Sequence, residues 1–259
     1  MSATGYSGDE LMTVAASRSL ANGTVCFVGI GLPSAAANLA RLTHAPDVVL
    51  IYESGTIGTR PEVLPLSIGD GELCETADTT VSVPEMFRYW LQGGRIDVGF
   101  LGGAQIDRFA NLNTTVIGDY AAPKTRLPGG GGAPEIATNS GEILVIMRQG
   151  RRSFVDALPF VTSMGHGRGR GDPNLARRRG KGPTKVITDL CVLEPDPETL
   201  EMIVTQIHPG IARPAIVEAT GWPIRFAETV AETAEPTAAE LAVLRALKAR
   251  TARAHGAAA

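Results

Sequence analysis

Thr24-Val-Cys-Phe-Val28, Gly29-Ile-Gly31-Leu-Pro33-Ser34 and Val48-Val-Leu-Ile-Tyr52, running on into Glu53-Ser54-Gly55, decide the fold. The first run is short and apolar and reads as a strand. The glycines turn the chain, and Pro33 suits the opening turn of a helix because its missing N–H would be unpaired there anyway. That helix runs to about Leu42 and stops before Pro46. The second apolar run is continuous rather than alternating, as in a strand buried on both faces. Strand, glycine turn, helix and strand together imply a parallel pair and an α/β fold.

The same logic extends outward. Ser7-Gly-Asp-Glu10, Ser82-Val-Pro-Glu85 and Thr237-Ala-Ala-Glu240 are capping boxes that open three helices. The first carries Leu11, Val14 and Ala15 on one face and is stopped by Gly23. The second covers Met86–Leu91. The third begins a tail over about 236–253 with a Leu241/Leu244/Leu247 stripe. Asp97–Leu101 and Ile143–Met147 are further buried strands. Val186–Leu193 and Met202–Ile207, split by Glu-Pro-Asp-Pro, read as a hairpin. Residues 103–135 form a long polar stretch, either functional or misassigned. The predicted architecture is a single α/β domain over 1–259: an open, mostly parallel sheet flanked by helices, with a C-terminal hairpin and helical tail.

Composition narrows the function. With 259 residues the chain is long enough for a full core. Its 24 basic and 27 acidic side chains leave a formal charge of −3, which argues against bulk nucleic-acid binding. No uncharged apolar run reaches about 18 residues, so no membrane helix is expected. Residues 1–12 lack a basic segment followed by an apolar one, and the three cysteines are odd in number and far apart. A cytoplasmic protein without a disulfide framework follows. Cys26 and Cys191 read as core residues, whereas Cys74, in a loop, stays a candidate reactive thiol. His44, His166, His208 and His255 have no metal-ligand spacing.

Glu53 is the leading candidate for chemistry. It ends a buried strand, and ligands of open parallel sheets bind beyond the carboxyl ends of strands. A solvated cap or an ion-pair partner would look the same. Gly29-x-Gly31-x-x-Ser34, with an acid roughly 20 residues on, imitates a dinucleotide fingerprint. The imitation fails where Ser34 replaces the third glycine and Pro33 removes a helix N–H. Gly129-Gly-Gly-Gly132 is entropically expensive to order. Its consecutive N–H groups can converge on an oxyanion, although a flexible surface loop is the competing use. Residues 166–185 carry seven Arg and Lys against Asp172 alone, a run read chiefly as a solvated face.

Val28–Pro33, Tyr52–Gly55, Gly102-Gly-Ala-Gln-Ile-Asp107, Ile117-Gly-Asp-Tyr120 and Gly129–Ala133, in this order, resemble the B (β) subunits of class I CoA-transferases of the glutaconate CoA-transferase type. The resemblance runs from about residue 8 to about 250 and is nearest to the 3-oxoadipate branch of aromatic catabolism. It implies Glu53 as nucleophile, through a glutamyl-CoA thioester. It implies Gly131 and Gly132 as oxyanion N–H donors, with Gly29, Gly31, Ser54, Gly55, Gly103 and Gln105 around acyl-CoA. CoA would be a substrate, with no tightly bound cofactor and no metal. A separate A (alpha) subunit would complete a heterodimer or heterotetramer, and Trp90 and Trp222 are candidates for that interface or for the core. The Arg-rich run is more basic than the family's loop. Two other readings are an acyl-CoA hydrolase using Glu53 as general base and a non-catalytic α/β ligand-binding module.

Overall fold

The computed structural model describes residues 5–256; the first four residues of the segment read for a leader lie outside it. The chain forms two compact units: Met1–Phe100 with Glu235–Ala259, and Leu101–Ala234.

The first unit begins with helix α1 (Gly8–Ser17), whose Ser7/Glu10 capping box is formed in both directions. The chain then passes through strand β1 (Val25–Val28), helix α2 (Leu32–Leu42) and strand β2 (Val49–Ile51). Strands β3 (Thr56–Ile57) and β4 (Thr79–Thr80) flank helix α3 (Gly71–Glu75). Short helix α4 (Val83–Glu85), with the Ser82/Glu85 capping box, runs into a π-turn at Met86–Leu91 and leads to β5 (Val98–Leu101). The strand order is β5-β1-β2-β3-β4. β1 is parallel to both β2 and β5, and the β3 and β4 edges are antiparallel.

The C-terminal helix (Ala238–Ala254) packs on α1 and α2 through fully buried Val14, Leu39 and Leu244. Arg18 clamps Glu240 with two hydrogen bonds of 2.8 and 2.7 Å. Desolvation by burial raises the Glu240 carboxyl, but hydrogen bonds from Arg18 and from the Thr237 backbone and hydroxyl outweigh it and hold the group at about 2. The tail is thus part of the unit's core.

In the second unit the polar stretch 103–135 proves to be structured. It holds two small hairpins: β6 (Gln105–Ile106) with β7 (Leu112–Asn113), and β8 (Val116–Gly118) with β9 (Pro123–Arg126). Their strands are too short and too polar to show a period-2 pattern. Helix α5 (Ala133–Asn139) and strand β10 (Glu142–Ile146) follow. β10 is parallel to β11 (Pro183–Ile187), which continues antiparallel into β12 (Cys191–Pro195) and β13 (Met202–Ile207). The single strand expected over Val186–Leu193 is therefore two strands folded back at Thr188–Leu190. The Thr188 hydroxyl accepts from both Leu190 and Cys191 N–H and makes that turn. Helix α6 (Arg213–Glu218) and strand β14 (Phe226–Glu232), parallel to β13, complete the unit. Trp222 is buried and stacked on Phe154, with ring centroids 5.7 Å apart. Among the described residues no helix is long and apolar enough to cross a membrane.

Candidate functional site

Glu53 occupies a tight turn. β2 ends at Ile51, so the carboxylate stands two residues past the strand rather than on its last residue. The ladder ends there because the chain reverses into β3: Tyr52 N–H donates to Thr56 O (3.2 Å) and Gly55 N–H to Tyr52 O (3.0 Å). Glu53 and Ser54 are the two central, half-buried residues. The turn requires glycine at 55. Its φ is +98°, and a Cβ there would stand 2.0 Å from the Val81 carbonyl oxygen. Val81 N–H in turn donates to Gly55 O at 2.9 Å.

β1 and β2 run level, with Phe27 opposite Ile51. The Gly29–Gly31 turn and the Glu53–Ser54 turn therefore leave the sheet at the same edge. Gly29 lies so close to Phe100 that a Cβ would be 2.9 Å from its carbonyl oxygen. Gly31 is exposed, with φ +86°, and caps α2, in which Leu32 is first and Pro33 second. The Ser54 hydroxyl is buried and has no hydrogen-bond partner.

A polar chain missed in the sequence supports this turn from below. Fully buried Tyr52 pairs its hydroxyl with Ser34 Oγ at 2.8 Å. Asn38 Nδ2 donates to Ser34 O (2.9 Å), Arg41 Nε donates to Asn38 Oδ1 (3.3 Å), and Arg41 Nη2 reaches Pro61 O (2.9 Å). Burial pushes the Tyr52 hydroxyl up to about 12, so it serves as a neutral partner. Ser34, the residue that spoils the dinucleotide fingerprint, is spent on Tyr52. The available signal was Ser34 and Asn38, spaced i and i+4 on a helix face otherwise of alanine and leucine.

The second unit holds the glycine turn. Gly129 has φ +101° and Gly131 φ +49°. Thr114 fastens the turn: its carbonyl accepts from Gly129 N–H (2.8 Å) and its hydroxyl donates to Gly129 O (2.7 Å). Gly132 is buried and caps α5, while Gly131 is exposed. Gly129 is thus fastened at both its N–H and its carbonyl. Gly103 packs against Leu112, and the Gln105 amide links Arg152 O (3.3 Å) to Asn113 Nδ2 (2.9 Å).

The remaining candidates are occupied in the framework. His166 is buried between Pro183 O (2.8 Å) and Arg178 (3.2 Å), and burial lowers its pKa to about 4. In the Arg-rich run, Arg178 donates to the carbonyls of Gly165 and Gly180, and Arg170 to those of Pro197 and Glu198. Two members of the run thus stitch the loop, although Arg170, like Arg168, Arg177, Arg179 and Lys181, is exposed, as a solvated face requires. Cys26 and Cys191 are buried, their thiols pushed up by desolvation, while Cys74 is exposed. Among the described residues no cluster of His, Cys, Asp and Glu could hold a metal.

Comparisons with known proteins agree on one family. Residues 10–219 match the model described as Coenzyme A transferase. The sequence is 66% identical over 251 residues to the B chain of 3-oxoadipate CoA-transferase from Pseudomonas knackmussii, covering 97% of this chain and 96% of that one. It is 34% identical over 248 residues to the B chain of glutaconate CoA-transferase from Acidaminococcus fermentans, covering 93% and 92%. The crystal structure of glutaconate coenzyme A-transferase from that organism superposes with a TM-score of 0.86 at 32% identity, over 93% and 94% of the two chains.

Proposed function

The chain belongs to the coenzyme A transferase family, and from that premise we propose that it is the B component of a heteromeric enzyme moving CoA from succinyl-CoA to 3-oxoadipate or a similar dicarboxylate. The observation that carries this reading is the Tyr52–Gly55 turn. It holds a carboxylate at the carboxyl edge of a parallel sheet, on a backbone over-determined by Val81 and Thr56.

The residue types suit the reaction. A Glu53 oxygen attacks the thioester carbonyl, the C–S bond breaks, and an acyl-glutamyl anhydride forms with release of CoA thiolate. The thiolate then attacks the Glu53 carbonyl and expels the donor acid, leaving a glutamyl-CoA thioester. The acceptor carboxylate repeats the two steps in reverse and frees Glu53. Only a carboxylate side chain can be this nucleophile, because the intermediates are carboxyl derivatives. Each step develops a tetrahedral oxyanion, for which the N–H groups of Gly131 and Gly132 are the assigned donors. One such donor is worth about 10²–10³ in rate. The unpartnered Ser54 hydroxyl supports a hydrogen bond to substrate beside Glu53. Gly29, Gly31, Gly55, Gly103 and Gln105 shape the walls around acyl-CoA. An A subunit closes the site against water, which would hydrolyse the thioester.

The test is covalent. The A·B complex incubated with succinyl-CoA alone gains CoA on Glu53, read by mass spectrometry of the peptide, and Glu53→Ala abolishes both the adduct and transfer. Near-normal transfer by Glu53→Ala, or full activity of the B chain alone, overturns the reading.

A further inference from the structure

The far end of α2 gathers cations that the proposed reaction does not use. Arg41 comes from α2, Arg60 from the segment after β3 and Arg250 from the C-terminal helix. With Leu42, Pro61 and Glu62 they line a cavity of about 430 Å³, and all six residues belong to the first unit. That volume falls within the usual range of small-molecule sites, roughly 300–1,000 Å³. The cavity stands apart from the reacting edge. Arg41 lies seven residues after Ser34 along α2, about 10 Å farther from the carboxyl edge of the sheet, where ligands of the reaction belong.

The three guanidinium groups are not equivalent. Arg60 gives both outer nitrogens to the Asp78 carboxylate, at 2.7 and 3.1 Å, so its charge is already matched. Half-buried Arg41 donates from Nε to Asn38 Oδ1 (3.3 Å) and from Nη2 to Pro61 O (2.9 Å), both neutral acceptors. Half-buried Arg250 donates from Nε to Glu62 O at 3.1 Å, again a neutral acceptor. Neither Arg41 nor Arg250 hydrogen-bonds to a carboxylate among the described residues. Burial draws the Arg41 pKa below its ordinary value, and the charges of Arg60 and Arg250 push the same way. Cations held partly out of water without a counter-charge are costly, and an anion in their shared cavity offsets that cost.

The donors left over define the ligand. Arg41 retains Nη1, and Arg250 retains both outer nitrogens. Both stems are already fixed by protein oxygens, so less ordering entropy remains to be lost on binding. Nitrogens arriving from two different helices suit a tetrahedral oxyanion, which accepts from several directions, whereas a carboxylate is satisfied by one fork. Exposed Glu62 is the one acid in the wall. Arg41 and Arg250 set against it leave a small positive excess, enough for one compact anion and too little for a polyanion. Phosphate near neutral pH still carries a proton on part of its population, and that O–H can donate to the Glu62 carboxylate.

We propose that this cavity binds a single phosphate group through Arg41 and Arg250, and that the bound anion fastens the C-terminal helix to α2. Calorimetric titration of the A·B complex with inorganic phosphate, at constant ionic strength in chloride, tests it. Glycerol 3-phosphate is the monoester probe and succinate the carboxylate probe, and the tighter of the two phosphates identifies the source. Arg41→Gln and Arg250→Gln should each weaken phosphate binding about ten-fold, and the double variant about a hundred-fold, since each removes a charge-assisted hydrogen bond. Phosphate should raise the melting temperature of the wild-type complex, because it binds the folded chain alone, and should leave that of the double variant unchanged. Arg41→Gln also gives up two internal hydrogen bonds. Arg250→Gln gives up one, so it keeps the test decisive should the first variant fold poorly. Phosphate binding that survives Arg250→Gln unweakened overturns the proposal. So does a wild-type complex that binds neither phosphate, or one that binds succinate more tightly than both. Binding and melting are the readouts, so the outcome is independent of transfer activity.

Discussion

Replacing Tyr52 by Phe probes the support beneath the Glu53 turn. The hydroxyl sits 2.8 Å from Ser34 Oγ, and both side chains are fully buried. Its removal deletes one neutral hydrogen bond, about 1 kcal/mol net, and strands the Ser34 hydroxyl with only the distant Asn38 Nδ2 at 3.5 Å. An unsatisfied buried hydroxyl adds about 1 kcal/mol or more, so the expected loss is about 2 kcal/mol. Ser34→Ala strands the Tyr52 hydroxyl instead and should lose a similar amount. The double variant strands nothing. It should lose about 1 kcal/mol, the hydrogen bond alone, rather than the ~4 kcal/mol of simple addition, because the two groups form one interaction. For a chain of this size, about 2 kcal/mol corresponds to about 4–8 °C in melting temperature. Scanning calorimetry of wild type, both singles and the double reads the cycle directly. The turn itself is held by main-chain bonds from Tyr52 and Gly55, so transfer by Tyr52→Phe at room temperature should stay within a few-fold of wild type. Additive losses, or no loss in either single, would refute the assignment of this pair.

Gly55→Ala forces an L-residue to φ +98° and drives a Cβ to within 2.0 Å of Val81 O. It should lose about 3 kcal/mol or more by urea denaturation and most transfer activity; a variant within ~0.5 kcal/mol of wild type would show that the turn is not constrained as described. His166 gives a pH dependence of defined sign. Burial lowers its pKa from 6.5 to about 4 in the folded chain, so the unfolded chain takes up the proton first as pH falls. Its contribution is fully present above pH 6.5 and is lost between there and about pH 4. Urea midpoints across that window should fall less for His166→Asn than for wild type, and parallel curves would contradict this account.

The strand–turn–helix–strand core was legible because each of its signals is local. Continuous apolar runs, a helix-opening proline and three capping boxes each declare themselves within a few residues, and all three boxes form. The tail's docking was half-legible: the leucine stripe marks a buried face, but the Arg18–Glu240 clamp joins residues 222 positions apart. What could not be read was pairing between short polar strands. β6 to β9 are two to four residues long and are defined by partners rather than by composition. The fold-back at Thr188–Leu190 lay hidden because its turn contains no glycine or proline. A threonine hydroxyl makes it instead.

The candidate site shows a subtler limit, which lies in the double meaning of glycine. A glycine at a strand end invites a ligand or another stretch of backbone, and the sequence is identical in both cases. Gly55 makes room for Val81 O and Gly29 for Phe100 O. Each therefore fixes the path of the neighbouring chain, the Glu53 turn in one case and the α2 entry in the other. Gly131 differs, since it is exposed at φ +49° within a turn already fastened by Thr114. The same distinction applies to the arginines. Arg170 and Arg178 belong to a conspicuous basic run, yet they donate to carbonyls of their own unit. Arg151 and Arg152 stand in a brief, inconspicuous segment, yet they line an open cavity in whose wall no acid stands among the described residues. Charge density along the chain identifies neither group. What separates them is how many guanidinium nitrogens meet protein oxygens, two each in Arg170 and Arg178 and one in Arg151, and that follows only from the folded backbone.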